Sequence, residues 1–328
     1  MLQYTVKRIL YMIPTLFFIS MVSFFIIQLP PGDYITTLAA NFAAQGETID
    51  NATVEQLRRT YGLDKPAYVQ YLIWIRKIIF EGDFGQSFDW QKPVSDLIWG
   101  RLGLTIIISL ATLLFIWAIA LPTGIYSAVK KYSVGDYIAT FIGFIGLAIP
   151  NFLLALVLMY VGFKYFGQSV GGLFSPQYID AAWGWGKFVD LLKHLWIPVI
   201  VIGTAGTAGL IRIMRANLLD ELFRPYVTTA RAKGLKERAL LTKYPVRLAL
   251  NPFISTIGWV LPSLISGDVI VSVVLGLPTT GPLLLRALLA QDMYLAGAFI
   301  LLLSVLTVIG TLVSDLLLAA LDPRIRYS

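Results

Sequence analysis

Cysteine is absent from the 328 residues, histidine occurs once, and charged residues make up only 14% of the chain. Without cysteine there are no disulfides, thiolate metal sites or iron–sulfur clusters. A single histidine, His194, excludes a histidine-rich metal site. The shortage of charge is the most restrictive of the three. Soluble domains carry about 25% charged residues, and a chain with so few could not cover its own surface in water. An ordinary soluble globular protein is therefore excluded, and so is a disordered one. No charge block or low-complexity tail points to nucleic acid.

What the chain has is apolar length. Hydrophobic residues are 57% of it and the mean hydropathy is +0.74. Six long apolar runs cover residues 9–29, 104–128, 137–163, 195–214, 252–277 and 295–318. A bilayer core of roughly 30 Å needs about 20 helical residues, and each run supplies that many. The sequence thus predicts an all-α membrane protein of six transmembrane helices. The fifth run carries Asp268 together with Gly258, Pro262, Gly267 and Gly276. The first follows Lys7 and Arg8 but is too long for the apolar region of a signal peptide. Pro30-Pro31-Gly32-Asp33 is no small-residue cleavage site, so this run is expected to stay as an uncleaved helix.

The connecting segments set the orientation. The N-terminus, residues 129–136, residues 215–251 and the C-terminal tail lie on one side. With Arg212 they hold 15 of the 26 basic residues and five of the 19 acids. The positive-inside rule makes that side cytoplasmic, with both termini on it. Residues 1–103 then form a first helix with a long extracytoplasmic segment. Residues 104–328 form a five-helix core with a cytoplasmic loop at 216–251. Within the outer segment, residues 68–80 place apolar and aromatic side chains at helical spacing, as expected for a helix at the membrane interface.

The cytoplasmic loop is the most informative stretch. Pro225 can open a helix, where its missing N–H costs nothing. Gly234 can end it in the left-handed conformation, with Arg231 and Lys233 facing the negative helix end. This predicts a short helix at 226–233 and a second at 236–244, stopped by Pro245. The small residues of the knob (Thr229, Ala230, Ala232, Gly234) admit the close approach of another protein. The alternative is a solvated loop whose basic residues set topology and touch anionic lipid.

Tyr226-Val227-Thr228-Thr229-Ala230-Arg231-Ala232-Lys233-Gly234-Leu235 resembles the coupling-loop signature of permease subunits of bacterial ATP-binding-cassette importers. Its T-A-R-A-K-G-L form is similar to the oligopeptide/dipeptide/nickel permease family. Thr228 and Thr229 depart from the generic Glu-Ala-Ala motif. The likeness runs along nearly the whole chain. It includes Pro31-Gly32-Asp33, Gly62-Leu63-Asp64, Pro66, Gln70-Tyr71, Trp74, Gly82-Asp83, Gly85 and Ser87. Further along it includes Pro150, Phe152, His194, Pro198, Arg212, Arg215, Asp315 and Leu321-Asp322-Pro323-Arg324-Ile325-Arg326.

This resemblance implies the permease fold of a type I importer in the bacterial inner membrane. Its implied partners are a second homologous permease, two ATPase subunits and a periplasmic or lipoprotein solute-binding protein. ATP and Mg would sit on the ATPases, with no cofactor on this chain. In keeping with that, the sequence has no G-x-x-x-x-G-K-[ST] phosphate loop. The resemblance implies that Thr228, Thr229, Ala230, Arg231, Ala232, Gly234 and Leu235 contact the ATPase. The solute would be a di- or oligopeptide, with oligosaccharides or nickel as alternatives carried by relatives.

A carboxylate in mid-span is costly and usually faces a cavity or a partner. Asp268 is thus read either as lining a pathway or an inter-permease contact, or as a buried structural hydrogen bond. Ser272, one helical turn on, stands where the related family often has an acid. If the chain were instead an ion-coupled secondary transporter, Asp268 and Asp315 would be its coupling sites. Gly167-Gln168-Ser169-Val170-Gly171 fits the G-x-S-x-G of serine hydrolases, with Asp180 and His194 following in order. That motif needs a strand–turn–helix setting, whereas here it follows an apolar run inside an external loop. The chain is accordingly expected not to be an enzyme.

Overall fold

Backbone buried in lipid must satisfy its own hydrogen bonds, which helices do within one segment. The computed structural model describes all residues except 1, 30–33, 45–49, 62, 170, 252, 256–268 and 322–328. Helices follow one another along the chain: α1 (Leu2–Ile27), α2 (Tyr34–Ala44), α3 (Asn51–Tyr61), α4 (Ala67–Glu81) and α5 (Val94–Val129). Then come α6 (Val134–Ala148), α7 (Asn151–Phe166), α8 (Trp185–Leu222), α9 (Pro225–Ala232) and α10 (Glu237–Lys243). The series ends with α11 (Pro245–Ala249), α12 (Val269–Val274), α13 (Thr280–Leu289) and α14 (Met293–Leu321). No strand occurs among the described residues; a lone antiparallel bridge joins Gln86 and Pro93.

Four of these helices, α1, α5, α8 and α14, are long and apolar enough to cross a membrane. The third apolar run is not one straight helix. Ile149 is extended (ψ 122°) ahead of Pro150, the conformation proline favours in its predecessor, and α6 and α7 meet at 99°. Counted as one bent span, they bring the total to five. Pro14, Pro122 and Pro198 lie inside continuous helices. A single long span therefore absorbs proline where Ile149-Pro150 does not. Of the fifth run, Gly258, Pro262, Gly267 and Asp268 lie outside the described residues, while α12 and Gly276 lie within them.

The chain divides into two compact units. One comprises Val6–Gly103 and Thr279–Val308. Its core joins Phe24 of α1, Ile35 of α2, Tyr71 and Trp74 of α4, and Phe88. The Ser20 and Tyr71 hydroxyls meet at 2.9 Å. A second cluster packs Val94 and Ile98 against Leu283, Leu295 and Phe299. Asp292, fully buried, accepts hydrogen bonds from Ser87 Oγ (2.5 Å) and from the Asp89 and Leu295 N–H groups (3.2 Å each). Burial pushes its carboxyl above the usual range, against the pull of those donors.

The other unit comprises Met1–Thr5, Leu104–Pro278 and Ile309–Ser328. α8, at 38 residues, is about 57 Å long at 1.5 Å per residue, nearly twice a bilayer core. Small residues let its neighbours approach: a Cβ on Gly146 of α6 would lie 2.7 Å from Thr204 Cγ2. On α6 and α7, Phe141, Ile142, Tyr160 and Phe163 are well exposed, as expected of helices covered by lipid or another subunit.

Candidate functional site

The 216–251 segment singled out from the sequence forms a knob at the end of α8. Arg224 is extended (ψ 145°) and turns the chain into α9, with Pro225 in its first turn. The Tyr226 hydroxyl donates to the Glu221 carboxylate. Burial first, then this acceptor, pushes the phenol well above its ordinary range. Arg224 reaches the same carboxylate at 3.8 Å.

One face of α9 is internal. Val227 and Ala230, three residues apart, pack on Leu240 of α10, flanked by Tyr226, Leu235 and Tyr244. The other face is open: Thr228, Thr229, Arg231 and Ala232 are exposed. Thr229 spends its hydroxyl on the Pro225 carbonyl (2.9 Å). The α9 terminus closes through Gly234, whose φ of +79° suits glycine. There the Gly234 N–H reaches Arg231 O at 3.0 Å and the Leu235 N–H reaches Ala230 O at 3.4 Å. Nothing lies within 4 Å of a would-be Gly234 Cβ, so conformation alone requires glycine there.

α10 is clamped to α9 by a bidentate pair. Arg231 donates to Glu237 through Nη2 (2.6 Å) and Nε (3.2 Å). The arginine's hydrogen bonds hold the Glu237 carboxyl below the usual range. Pro245 was expected to stop the second helix. It does so and also opens α11, after Tyr244 takes an irregular conformation (φ −117°, ψ −81°).

The base of the knob is buried. Ala249 and Phe253 pack on Met214 and Leu218 of α8 and Ala128 of α5. Beside them Arg215 donates to Asp136 through Nε (2.9 Å) and Nη2 (2.8 Å). Asp136 also accepts the Tyr132 N–H at 2.9 Å. This pair ties the α5–α6 turn to α8. Sequence reasoning counted Asp136 only as a topology charge, and Arg215 as a basic residue that also matches the family pattern. The local signal was there, in Ser133 capping the Asp136 N–H, but the partner lies 79 residues away.

The seven residues expected to meet an ATPase therefore separate. Thr228, Thr229, Arg231, Ala232 and Gly234 lie on the surface, Leu235 is half-buried, and Ala230 is inside the knob. Elsewhere, Ser272 is buried on α12; Asp268 lies outside the described residues, so their shared face is not described.

The structure does bring Ser169 and His194 together, at 3.3 Å between Oγ and Nε2. His194 Nδ1 is 2.8 Å from the Asp190 carbonyl one turn back on its own helix. The Asp190 carboxylate is taken by the N–H and hydroxyl of Ser175, at 2.7 Å each. Lys187 binds the carbonyls of Ile179 (3.0 Å) and Ala181 (2.7 Å). Together these contacts fasten the 167–184 loop along α8. Asp180, the acid of the hydrolase-like order, is not among the groups that bond His194 in the described residues. No cluster of three or more His, Cys, Asp or Glu side chains that could hold a metal occurs among the described residues.

Comparison with known proteins gives two family matches. The binding-protein-dependent transport system inner membrane component matches residues 120–327. The N-terminal family of the same membrane components matches residues 1–111. An oligopeptide transport system permease protein of Bacillus subtilis is 39% identical over the full length of both chains. The glutathione transport system permease protein of Escherichia coli K12 is 32% identical, also over all of both. The oligopeptide transport system permease protein of Haemophilus influenzae is 30% identical over the same span.

Proposed function

Because the chain belongs to the family of binding-protein-dependent transport system inner membrane components, we propose that it is one of two homologous permeases that import peptides across a bacterial inner membrane. Proteins of this family are permease subunits rather than enzymes. Two ATPase subunits, carrying ATP and Mg, would drive the cycle, and a solute-binding protein would deliver the cargo. The names of the relatives support di- or oligopeptides as that cargo.

In this reading the chain has six transmembrane helices, both termini in the cytoplasm and the fold of a type I importer permease. Residues 1–103 supply the first helix and an extracytoplasmic addition to the 104–328 core. The ATPase would meet Thr228, Thr229, Arg231, Ala232, Gly234 and Leu235, while Ala230 shapes that surface from within. Asp268 and Ser272 would line the pathway or the seam with the second permease.

One observation carries the coupling role. The α9–α10 knob has its own small core, exposes a face of short side chains, and is anchored to α8 through the Met214–Phe253 cluster. A push on it is transmitted to a 38-residue helix rather than dissipated in a loop. The test is co-purification from native membrane with mass spectrometry of what stays bound. ATPases and a second permease are expected. A chain that purifies alone and moves solute in vesicles without ATP overturns the reading.

A further inference from the structure

α4 is covered by the protein on one side only. Gln70, Tyr71 and Trp74 are buried, and the Tyr71 ring meets those of Phe17 (6.3 Å), Phe24 (5.4 Å) and Phe25 (6.4 Å) of α1. The Gln28 amide donates to Gln70 Oε1 at 3.1 Å. These partners run from Phe17, near the middle of the apolar run 9–29, to Gln28 near its end, about 17 Å of helix. α1 is open beside this contact: Phe18 and Val22 are well exposed. A helix of its length and hydropathy is covered there by lipid. Lipid at that depth reaches α4 as well.

The far side of α4 is apolar and open. Tyr68, Leu72, Ile75 and Ile79 recur at the spacing of one helix face. Tyr68, Leu72 and Ile79 are 61%, 57% and 65% exposed, and Ile75 is half-buried. Arg76 stands beside this strip, one turn from both Leu72 and Ile79. It is exposed and has no hydrogen bond or ion pair among the described residues. Its neighbour Lys77 is spent on Asp83 at 3.4 Å. One uncompensated positive charge therefore borders an apolar strip.

That combination fits the boundary between acyl chains and headgroups. An arginine stem lies along apolar surface while its head stays at the polar level, and the guanidinium fork matches phosphate oxygens. We propose that α4 is seated in the outer leaflet, with the 68–72–75–79 face on acyl chains and Arg76 on the phosphate of an anionic phospholipid. The inference rests on the proposed topology, whose cytoplasmic N-terminus makes this leaflet the outer one.

The chain's lack of cysteine makes single labels clean. Leu72→Cys and Ile79→Cys report on the strip, and Glu55→Cys on the polar helix α3 serves as reference. Each is labelled with bimane in the full chain with its co-purifying subunits. The nanodiscs are phosphatidylcholine with a minority of phosphatidylglycerol. Acyl-chain nitroxides should quench the labels at 72 and 79 at least about twofold more than the label at 55. With the nitroxide carried on phosphatidylglycerol rather than phosphatidylcholine, the label at 72 should show about fivefold local enrichment of the anionic lipid, the effect of one basic residue near a membrane surface. Arg76→Gln should remove that enrichment. Arg76→Lys and Lys77→Gln should keep it.

Equal quenching at 55, 72 and 79 overturns the lipid seat. So does a strip that is quenched in the isolated chain but not in the complex, since a subunit then covers it. Enrichment that survives Arg76→Gln overturns the phosphate contact. The side of the membrane is read separately, by a membrane-impermeant maleimide on Glu55→Cys in spheroplasts. Labelling from outside supports the leaflet assigned. Labelling only in inverted vesicles overturns the topology and the leaflet, while the quenching still decides whether the strip meets lipid.

Discussion

Asp136–Arg215 and Glu237–Arg231 share one geometry: an arginine fork on a carboxylate, with both contacts at 2.6–3.2 Å. Their surroundings differ. Asp136 is 3% exposed and Arg215 27%, at the base of the knob. Arg231 and Glu237 are 50% and 54% exposed, on the knob itself. Buried, the fork is an anchor, because removing one partner strands a charge away from water. Exposed, it is a guide, because water replaces whichever partner leaves. α8 is thus pinned to the α5–α6 turn just ahead of the knob, while the two helices of the knob are only lightly braced to each other.

Breaking the anchor should have the largest effect. Asp136→Ala is expected to cost about 3 kcal/mol of stability, read as an earlier thermal melt by tryptophan fluorescence. Asp136→Asn should fall in between, since it keeps an acceptor for the fork. Equal melts for Ala and wild type would show that burial does not separate the two pairs.

Gly234 comes next, and it sharpens the comparison by touching neither pair. A valine there must hold φ near +79°, a strain of about 1–3 kcal/mol. Gly234→Val should therefore reshape the end of α9 and lower transport by about tenfold or more, with membrane insertion intact. Asparagine tolerates the left-handed region, so Gly234→Asn should keep most of the activity. Transport assays with matched expression decide it; equal loss in both variants would point to the side chain's bulk at a docking surface rather than to the turn.

Breaking the brace should matter least. Glu237→Gln is expected to speed amide exchange over residues 235–243 while leaving the melt unchanged. Acid should do the same. Because Arg231 holds the Glu237 carboxyl below its ordinary range, the pair's contribution is complete above the usual carboxylate range and is lost as pH falls through the lowered value.

Much of the knob was legible beforehand. Pro225 and Gly234 marked the ends of α9 to within a residue, because helix capping is local chemistry. Which face of α9 turns inward was not legible. Val227 and Ala230 are buried because Leu240 and Tyr244 come back over them, and Ala230 is no different in composition from exposed Ala232. The Ser169–His194 contact teaches the converse: a pattern and a distance were both present, yet the surrounding bonds fasten a loop to a helix.

The amino-acid sequence by itself determined the class of the molecule and the ends of α9, since apolar length, proline and glycine act over a few residues. Only the tertiary structure decided that Pro150 breaks its span by 99° while Pro198 sits within a continuous helix, and that Asp136 meets Arg215. Those outcomes depend on what packs around each residue, from parts of the chain that lie far off in sequence, and burial then sets what each contact is worth.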